Sequence, residues 1–261
     1  MRLGLYQCPS PGGDLELGLN TIDEALGHAS AAGVDMLTMP EVFLPGYNTD
    51  ISPEPDGFVD AMAAVPGVVA RHGVGLTIGV AEYGEKTWNA AYAYDRSGAV
   101  IARYRKVQLW AERENTLYEP GDALTLFTFE GRKIGLLICY DVEFPEHTRA
   151  LARAGAEAIV VPTANPNPYI NVNEVAVPAR ALESGLTIVY ANYTDDERDI
   201  SYAGRSVIAG PDGRPLAMLN EETGLIFADM RGRDDPALET PFSTQFDDYR
   251  PITTIHTGSD Q

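Results

Sequence analysis

The apolar positions of this chain change repeatedly between two spacings, one typical of strands and one typical of amphipathic helices. Residues 2–7 alternate apolar and polar side chains and predict a short strand. In residues 14–32, apolar side chains recur every three or four positions, which predicts a helix that ends at Gly33. Residues 35–40 form a short apolar run that ends at Pro40 and predict a buried strand. This succession of strand, helix and strand indicates an α/β protein.

The rest of the chain combines helices with hairpins. Further helices are predicted within 58–72, interrupted near Pro66, at 145–154 and near 174–184. Further strands are predicted at 76–81, 88–94, 100–105, 124–129, 133–138, 157–161, 187–191, 203–209, 215–219 and 224–229. Such a mixture predicts mixed sheets covered by helices. We expect a single domain over residues 1–261, with a polar tail from about residue 231.

Composition and charge narrow the classes of partner. The 261 residues are 44% hydrophobic and 22% charged, which is a globular composition. The 19 basic and 38 acidic residues give a net charge of −19, so we expect neither nucleic acid nor an anionic membrane as a partner. No apolar run approaches the ~18 residues of a membrane span, and the N-terminus is too polar for a signal peptide. These features predict a cytoplasmic protein.

The two cysteines lie in different sequence contexts. Because they are few and far apart, we expect neither a disulfide framework nor a metal site. Cys8 ends the first predicted strand, where a packing role is favoured. Cys139 ends an apolar strand, and Pro145 begins a predicted helix six positions later. A thiol at such a turn lies near the positive end of the helix dipole, which favours the thiolate. A buried structural cysteine explains the same local pattern equally well.

A nucleophilic cysteine needs a base to accept its proton. The histidines are predicted on helix surfaces, before a turn or in the tail, and His147, the nearest to Cys139, is predicted to face solvent. Glu41 directly follows a predicted buried strand, where burial would raise its pKa and suit it to general-base catalysis. Lys106 ends another strand and could stabilise an oxyanion. Taken singly, Glu41 also fits a loop acid and Lys106 a surface lysine.

In combination these residues are far more specific. Glu41, Lys106 and Cys139 each follow a predicted strand, and their order resembles the catalytic set of the nitrilase superfamily of carbon–nitrogen hydrolases. The resemblance covers residues 1 to about 230. The motifs that carry it are Pro40-Glu41, 104–109 (YRKVQL), 120–122 (PGD), 135–146 (GLLICYDVEFPE), 162–165 (PTAN), 177–183 (VPARALE) and 204–206 (GRS).

This resemblance implies a fold and a mechanism. The fold would be a four-layer α-β-β-α sandwich. Glu41 would take the thiol proton of Cys139, and the thiolate would attack an amide carbonyl. Lys106 and the backbone N–H of Tyr140 would stabilise the oxyanion. Ammonia would leave, and water would hydrolyse the thioester without a metal or an organic cofactor. Glu114, eight positions beyond the lysine, would position the substrate amide or orient Lys106.

The residues after the cysteine favour one branch of this superfamily. Tyr140-Asp141 follows Cys139, whereas nitrile-cleaving members usually have Trp-Glu there. The sequence therefore resembles small-molecule amidases. A nitrilase or an N-carbamoyl hydrolase is an alternative within the superfamily, and a non-catalytic binding protein is an alternative of another class. The resemblance also implies a homodimer in which the helix at 145–154 packs against its symmetry mate.

The acidic residues in the turn after Cys139, which we call the nucleophile turn (residues 140–146), indicate the charge of the substrate. Asp141, Glu143 and Glu146 would present a negative field, and residues 140–146 contain no arginine that could hold a carboxylate. We therefore expect neutral aliphatic amides or amides bearing an amine. The candidate substrate-binding residues are Tyr140, Glu143, Asn165, Tyr47 and Trp110.

Overall fold

The computed structural model of this chain describes residues 1–236 and 244–251. Its strands are β1 (Arg2–Gln7), β2 (Met36–Thr38), β3 (Gly75–Tyr83), β4 (Thr87–Tyr94), β5 (Val100–Arg105), β6 (Thr125–Phe129), β7 (Arg132–Leu136), β8 (Ala158–Pro162), β9 (Thr187–Ala191), β10 (Asp196–Glu197), β11 (Ile200–Ser201), β12 (Val207–Ala209), β13 (Pro215–Met218) and β14 (Gly224–Asp229). Its helices are α1 (Leu15–Ala31), α2 (Phe58–His72), α3 (Ala111–Leu117), α4 (Pro145–Arg153), α5 (Val177–Ser184) and α6 (Gln245–Asp248), with a 3₁₀ helix at Cys139–Glu143 and a π-helix at Val172–Ala176.

Two six-stranded sheets form the centre of the fold. The first has the order β14-β1-β2-β3-β4-β5, and the second has the order β13-β12-β9-β8-β7-β6. In the first sheet β2 pairs in parallel with β1 and β3, and in the second β8 pairs in parallel with β7 and β9. The outer pairs of both sheets are antiparallel. Each sheet therefore joins helix-connected parallel strands to hairpins, as the sequence predicts.

Two apolar clusters place the sheets and helices in layers. Leu5 and Met36 of the first sheet share one cluster with Val160 and Val189 of the second, so these two sheets pack face to face. The same cluster includes Leu151 of α4, which covers the second sheet. A second cluster joins α1 and α2 to the other face of the first sheet. The predicted four-layer α-β-β-α sandwich is confirmed.

Three local features differ from the sequence prediction. Helix α2 continues through Pro66, where an interruption was predicted. Proline has no backbone N–H to donate within the helix, but the buried face of α2 packs along the first sheet and this packing keeps the helix continuous. The strand predicted at 203–209 begins only at Val207. The residues before it contact Asn192 instead: the carbonyl of Gly204 accepts from the side-chain amide of Asn192, and the hydroxyl oxygen of Ser206 accepts from its backbone N–H. Helix α3 was not predicted, because its seven residues are polar except at the two ends and show no apolar periodicity.

The predicted tail is described in part. Residues 244–251 include α6, and Phe246 and Tyr249 lie over the guanidinium groups of Arg149 and Arg153 on α4. Residues 237–243 and 252–261 of that tail lie outside the described residues. Within the described ranges, no helix is long and apolar enough to cross a membrane.

Candidate active site

The three residues of the predicted catalytic set follow strands of both sheets. Glu41 comes after β2 and Lys106 directly after β5, both in the first sheet, whereas Cys139 follows β7 in the second. The backbone N–H of Glu41 donates to the carbonyl of Thr163, at 3.2 Å, and the hydroxyl of Tyr193 donates to the carbonyl of Glu41, at 2.9 Å. These bonds hold the loop of Glu41 against the second sheet. The face-to-face packing of the sheets thus brings together residues that are far apart in sequence.

A buried ion network joins two of these residues to Glu114. The Nζ atom of Lys106 donates to Oε1 of Glu41 and to Oε1 of Glu114, each at 2.7 Å. All three side chains are at most 1% exposed. Glu114 also accepts from the Tyr47 hydroxyl, at 2.7 Å, and from the backbone N–H of Trp110, at 2.8 Å. Both carboxylate oxygens of Glu114 therefore accept hydrogen bonds, which fixes the side chain and holds the ammonium of Lys106 in one place.

The two carboxylate oxygens of Glu41 have different surroundings. Its Oε1 accepts from both Lys106 and the side-chain amide of Asn89, which donates at 2.7 Å. Its Oε2 is buried and has no hydrogen-bond partner within the described part of the chain. An unpartnered carboxylate oxygen in a buried site is costly to maintain, and such a group is suited to accept a proton during a reaction.

Burial and neighbouring charges shift the pKa values of Glu41 and Lys106. Burial raises the pKa of Glu41 to about 7; the carboxylate of Glu114 adds to the rise and the ammonium of Lys106 opposes it. For Lys106, burial acts to lower the pKa, but the carboxylates of Glu114 and Glu41 raise it well above its ordinary value. Lys106 is therefore a cation at neutral pH, while Glu41 is poised between its two protonation states.

Cys139 opens the 3₁₀ helix in a strained conformation. Its φ of 44° lies in the left-handed region, which non-glycine residues adopt rarely and often at functional sites. Burial and the charge of Glu41 raise the pKa of its thiol well above the usual value, and Lys106 and the backbone N–H of Ala164 offset only part of this. The sequence predicted that the helix beginning at Pro145 favours the thiolate of Cys139. In the structure a five-residue 3₁₀ helix separates Cys139 from α4, and burial together with the charge of Glu41 favours the neutral thiol instead.

The sequence predicted that Asp141 presents its charge to a ligand, but the structure places this side chain inside the protein. Its side chain is fully buried and accepts hydrogen bonds from the backbone N–H groups of Gln108 and Ile138 and from the hydroxyl of Tyr104. His147 is also less exposed than predicted, with 13% of its side chain accessible, and its ring stacks on Phe144. The turn after the cysteine is thus tied inward to the loop that follows Lys106.

A cavity of about 240 Å³ opens at the thiol. Four of the five predicted substrate-binding residues line it, namely Trp110, Tyr140, Glu143 and Asn165. The fifth, Tyr47, is not among the lining residues; it is buried and contacts Glu114. The full set of lining residues is Trp110, Cys139, Tyr140, Glu143, Ala164, Asn165, Pro166 and Tyr169.

Sequence reasoning missed several residues that contact the site. Asn89 binds Glu41, Tyr104 binds Asp141, and Tyr169 forms one wall of the cavity. Asn89 had a signal in the sequence, because it is a polar residue in the strand predicted at 88–94, whose other residues are alanine or aromatic. Tyr104 lies in the motif at 104–109 but was given no role of its own, and nothing in the sequence marked Tyr169. Among the described residues, no group of three or more His, Cys, Asp or Glu side chains is arranged to hold a metal ion.

Comparisons with known proteins bear on this geometry. The chain is 37% identical over 235 residues to "Hydrolase in pqqF 5'region" of Pseudomonas protegens, covering 87% of this chain and 81% of that protein. It is 33% identical over 229 residues to an (R)-stereoselective amidase of Pseudomonas sp., covering 83% and 80%. A solved structure of an active-site mutant of the amidase from Nesterenkonia sp. AN1, in complex with butyramide, is 36% identical and superposes with a TM-score of 0.84, covering 88% and 90%.

The family assignment follows from the extent of these matches. The profile of the carbon–nitrogen hydrolases matches residues 2–233, which is nearly all of the two-sheet sandwich and includes Glu41, Lys106, Glu114 and Cys139. The chain belongs to the carbon–nitrogen hydrolase family.

Proposed function

We propose that this protein hydrolyses a small carboxamide to a carboxylic acid and ammonia through a thioester on Cys139. The observation that carries the proposal is the free, buried Oε2 of Glu41, whose charge acts on the thiol of Cys139 while Oε1 is held by Lys106. The related amidases support amide hydrolysis by a cysteine. In one structure of the Nesterenkonia sp. AN1 amidase, acrylamide has added to the active-site cysteine.

In the first half of the reaction, Glu41 takes the thiol proton as the sulfur of Cys139 attacks the amide carbonyl. The ammonium of Lys106 and the backbone N–H of Tyr140 stabilise the oxyanion of the tetrahedral intermediate. Glu41 then returns the proton to the leaving nitrogen, and ammonia departs. Because the pKa of Glu41 is about 7, the group can accept and release a proton at neutral pH.

In the second half, water attacks the thioester while Glu41 accepts a proton from it. The bond between the carbonyl carbon and the sulfur of Cys139 then breaks, Glu41 returns the proton to that sulfur, and the acid leaves. Glu114 orients Lys106 in both halves, which its bonds to Lys106, Tyr47 and Trp110 support. The cavity disfavours one alternative, the hydrolysis of N-carbamoyl amino acids, since none of its described lining residues is an arginine or a lysine that could clamp a carboxylate. A nitrile remains the second candidate substrate.

The experiment is ammonia release over a panel of amides and nitriles by the wild type and by Cys139→Ala. The variant removes the nucleophile with little change in volume, so activity should fall by several orders of magnitude while the fold is kept. Retention of more than about 1% of the wild-type turnover would contradict the proposal, because a covalent mechanism cannot lose its nucleophile at so small a cost. Glu41→Gln and Lys106→Ala should be comparably damaging and strongly non-additive with Cys139→Ala.

We also infer a homodimer that uses the outer face of α4. Leu151 is buried in the core, which leaves the exposed Ala150 and Ala154 as the small residues of that face. Light scattering at micromolar concentration should give twice the mass of one chain, and the mass of a monomer would contradict the inference. The two free cysteines support a reducing compartment such as the cytoplasm, which cell fractionation can test.

A further inference from the structure

The cavity at Cys139 contains a carboxylate that the proposed mechanism does not use. Glu143 lines this cavity, and its carboxylate has no hydrogen-bond or ion-pair partner within the described residues. Arg180 lies nearby, but its guanidinium donates to the backbone carbonyls of Val142 and Glu143 and to the carboxylate of Glu183. The cation next to Glu143 is therefore engaged elsewhere, and the Glu143 carboxylate is free to receive a ligand.

A second acceptor lines the same cavity. The side-chain amide nitrogen of Asn165 donates to the carbonyl of Tyr169, at 2.9 Å, and to Oδ1 of Asn173, at 2.7 Å. Asn173 has its own amide nitrogen on the carbonyls of Gly204 and Arg205, which fixes its Oδ1 toward Asn165. Both donor hydrogens of Asn165 are thus used, and the atom that it retains for a ligand is the acceptor Oδ1.

The remaining walls and the catalytic network favour positive charge. Trp110 and Tyr169 meet edge to face, with ring centroids 5.9 Å apart, and Tyr140 completes the aromatic lining. Aromatic faces attract cations that have shed part of their water. The single ammonium of Lys106 is bonded to two carboxylates, Glu41 and Glu114, so this network carries a net negative charge whenever Glu41 is ionised.

From this lining we infer that the preferred substrates are amides whose acyl part bears a protonated amine, held by the carboxylate of Glu143 and by Oδ1 of Asn165. The inference rests on the proposed amide hydrolysis and names its substrate class. An ammonium supplies up to three N–H donors, which match a cavity that offers acceptors and aromatic faces. A neutral acyl chain would leave both acceptors without a partner, which disfavours its binding.

Burial raises the pKa of Glu143, and the charges of Lys106 and Arg180 act against this rise. A carboxyl group in such surroundings gains more from an ammonium ligand than an exposed one, because water competes less for the pair. The positive charge of a bound ammonium would in turn stabilise the ionised form of Glu143. In contrast, Glu146 lies exposed on the first turn of α4 and is not among the lining residues, so it serves as the matched control.

The experiment compares isosteric substrates in one buffer at pH 7. The pairs are 3-aminopropanamide against butanamide, and 2-aminopropanamide against 2-methylpropanamide, so that an ammonium replaces a methyl group at two positions. We expect kcat/KM for at least one amine to exceed that of its neutral partner by about tenfold or more, as for a charge-assisted bond in a partly desolvated site. In Glu143→Gln this ratio should fall by about tenfold, and in Glu146→Gln it should stay at the wild-type value.

The outcomes separate the two proposals. If both members of each pair are hydrolysed equally well and the activity still requires Cys139, the inference about the amine is wrong and amide hydrolysis stands. The same holds if the amine is preferred but Glu143→Gln leaves the ratio unchanged. If no amide is hydrolysed by the wild type, the proposed function itself fails. The wild-type comparison needs no variant, so it remains decisive even if Glu143→Gln does not fold.

Discussion

The carboxylate of Asp141 accepts a hydrogen bond from the backbone N–H of Gln108, at 2.8 Å. The two residues lie in loops that follow strands of different sheets. Gln108 follows Lys106 after β5 of the first sheet, and Asp141 follows Cys139 after β7 of the second. The other carboxylate oxygen binds the Tyr104 hydroxyl and the backbone N–H of Ile138. Asp141 therefore sets the position of the lysine loop relative to the nucleophile turn.

This relationship predicts the effect of Asp141→Asn. The amide has one acceptor oxygen in place of two, so at least one of the three buried donors loses its partner. We expect a loss of about 1–3 kcal/mol in the free energy of unfolding and a fall in kcat that exceeds any rise in KM. Denaturant unfolding and steady-state kinetics measure the two effects.

Tyr104→Phe provides the matched comparison for this variant. It removes one bond to Asp141 but leaves the bond to Gln108, so its kcat should fall less than that of Asp141→Asn. If folded Asp141→Asn protein had the kcat of the wild type, the loop after Lys106 and the turn after Cys139 would keep their relative positions without the carboxylate.

Much of the fold and part of the site could be predicted from the sequence. Apolar runs and turn residues located nearly all strands, and strand ends located Glu41, Lys106 and Cys139. Side chains that follow strands gather at the edges of the sheets, and the two sheets pack face to face. The inward direction of Asp141 could not be predicted, since periodicity does not say where side chains of a one-turn helix point. The same limit applies to Tyr47, whose contact with Glu114 depends on the path of a loop.

Tyr47 should help to hold Lys106 in place through Glu114. Tyr47→Phe removes a buried donor to Oε1 of Glu114, the atom that also binds Lys106. We expect a loss of about 1 kcal/mol in stability and a several-fold lower kcat, because the lysine is held less firmly. Thermal or denaturant unfolding and ammonia release measure these changes.

Tyr118→Phe is the control for this prediction. Tyr118 is also buried, but its hydroxyl has no hydrogen-bond partner among the residues that the structure describes. Removing it should change stability and kcat little, within about 0.5 kcal/mol. If Tyr47→Phe and Tyr118→Phe behaved alike, the bond to Glu114 would have no part in catalysis.

The acid limb of the pH profile should report Glu41. The base must be ionised to accept the thiol proton, and burial raises its pKa to about 7. We therefore expect kcat/KM to fall about tenfold per pH unit below that value and to reach a plateau above it.

Glu114→Gln tests the origin of that limb. The charge of Glu114 contributes to the raised pKa of Glu41, so removing it should move the acid limb to lower pH, even though the overall rate falls. A limb that does not move, or a wild-type kcat/KM that stays flat down to about pH 5, would assign the titration to another group.

The two cysteines should differ sharply in their reaction with iodoacetamide. Cys139 lines the cavity and, in the proposed mechanism, gives its proton to Glu41, whereas Cys8 is 2% exposed and burial raises the pKa of its thiol. Mass spectrometry of peptides from the folded protein should show rapid labelling of Cys139 and none of Cys8 over the same period. Because the pKa of Cys139 is itself raised, its reactivity depends on Glu41, and Glu41→Gln should slow the labelling. Equal labelling of both cysteines in the folded wild type would mean that the cavity and its base give Cys139 no advantage.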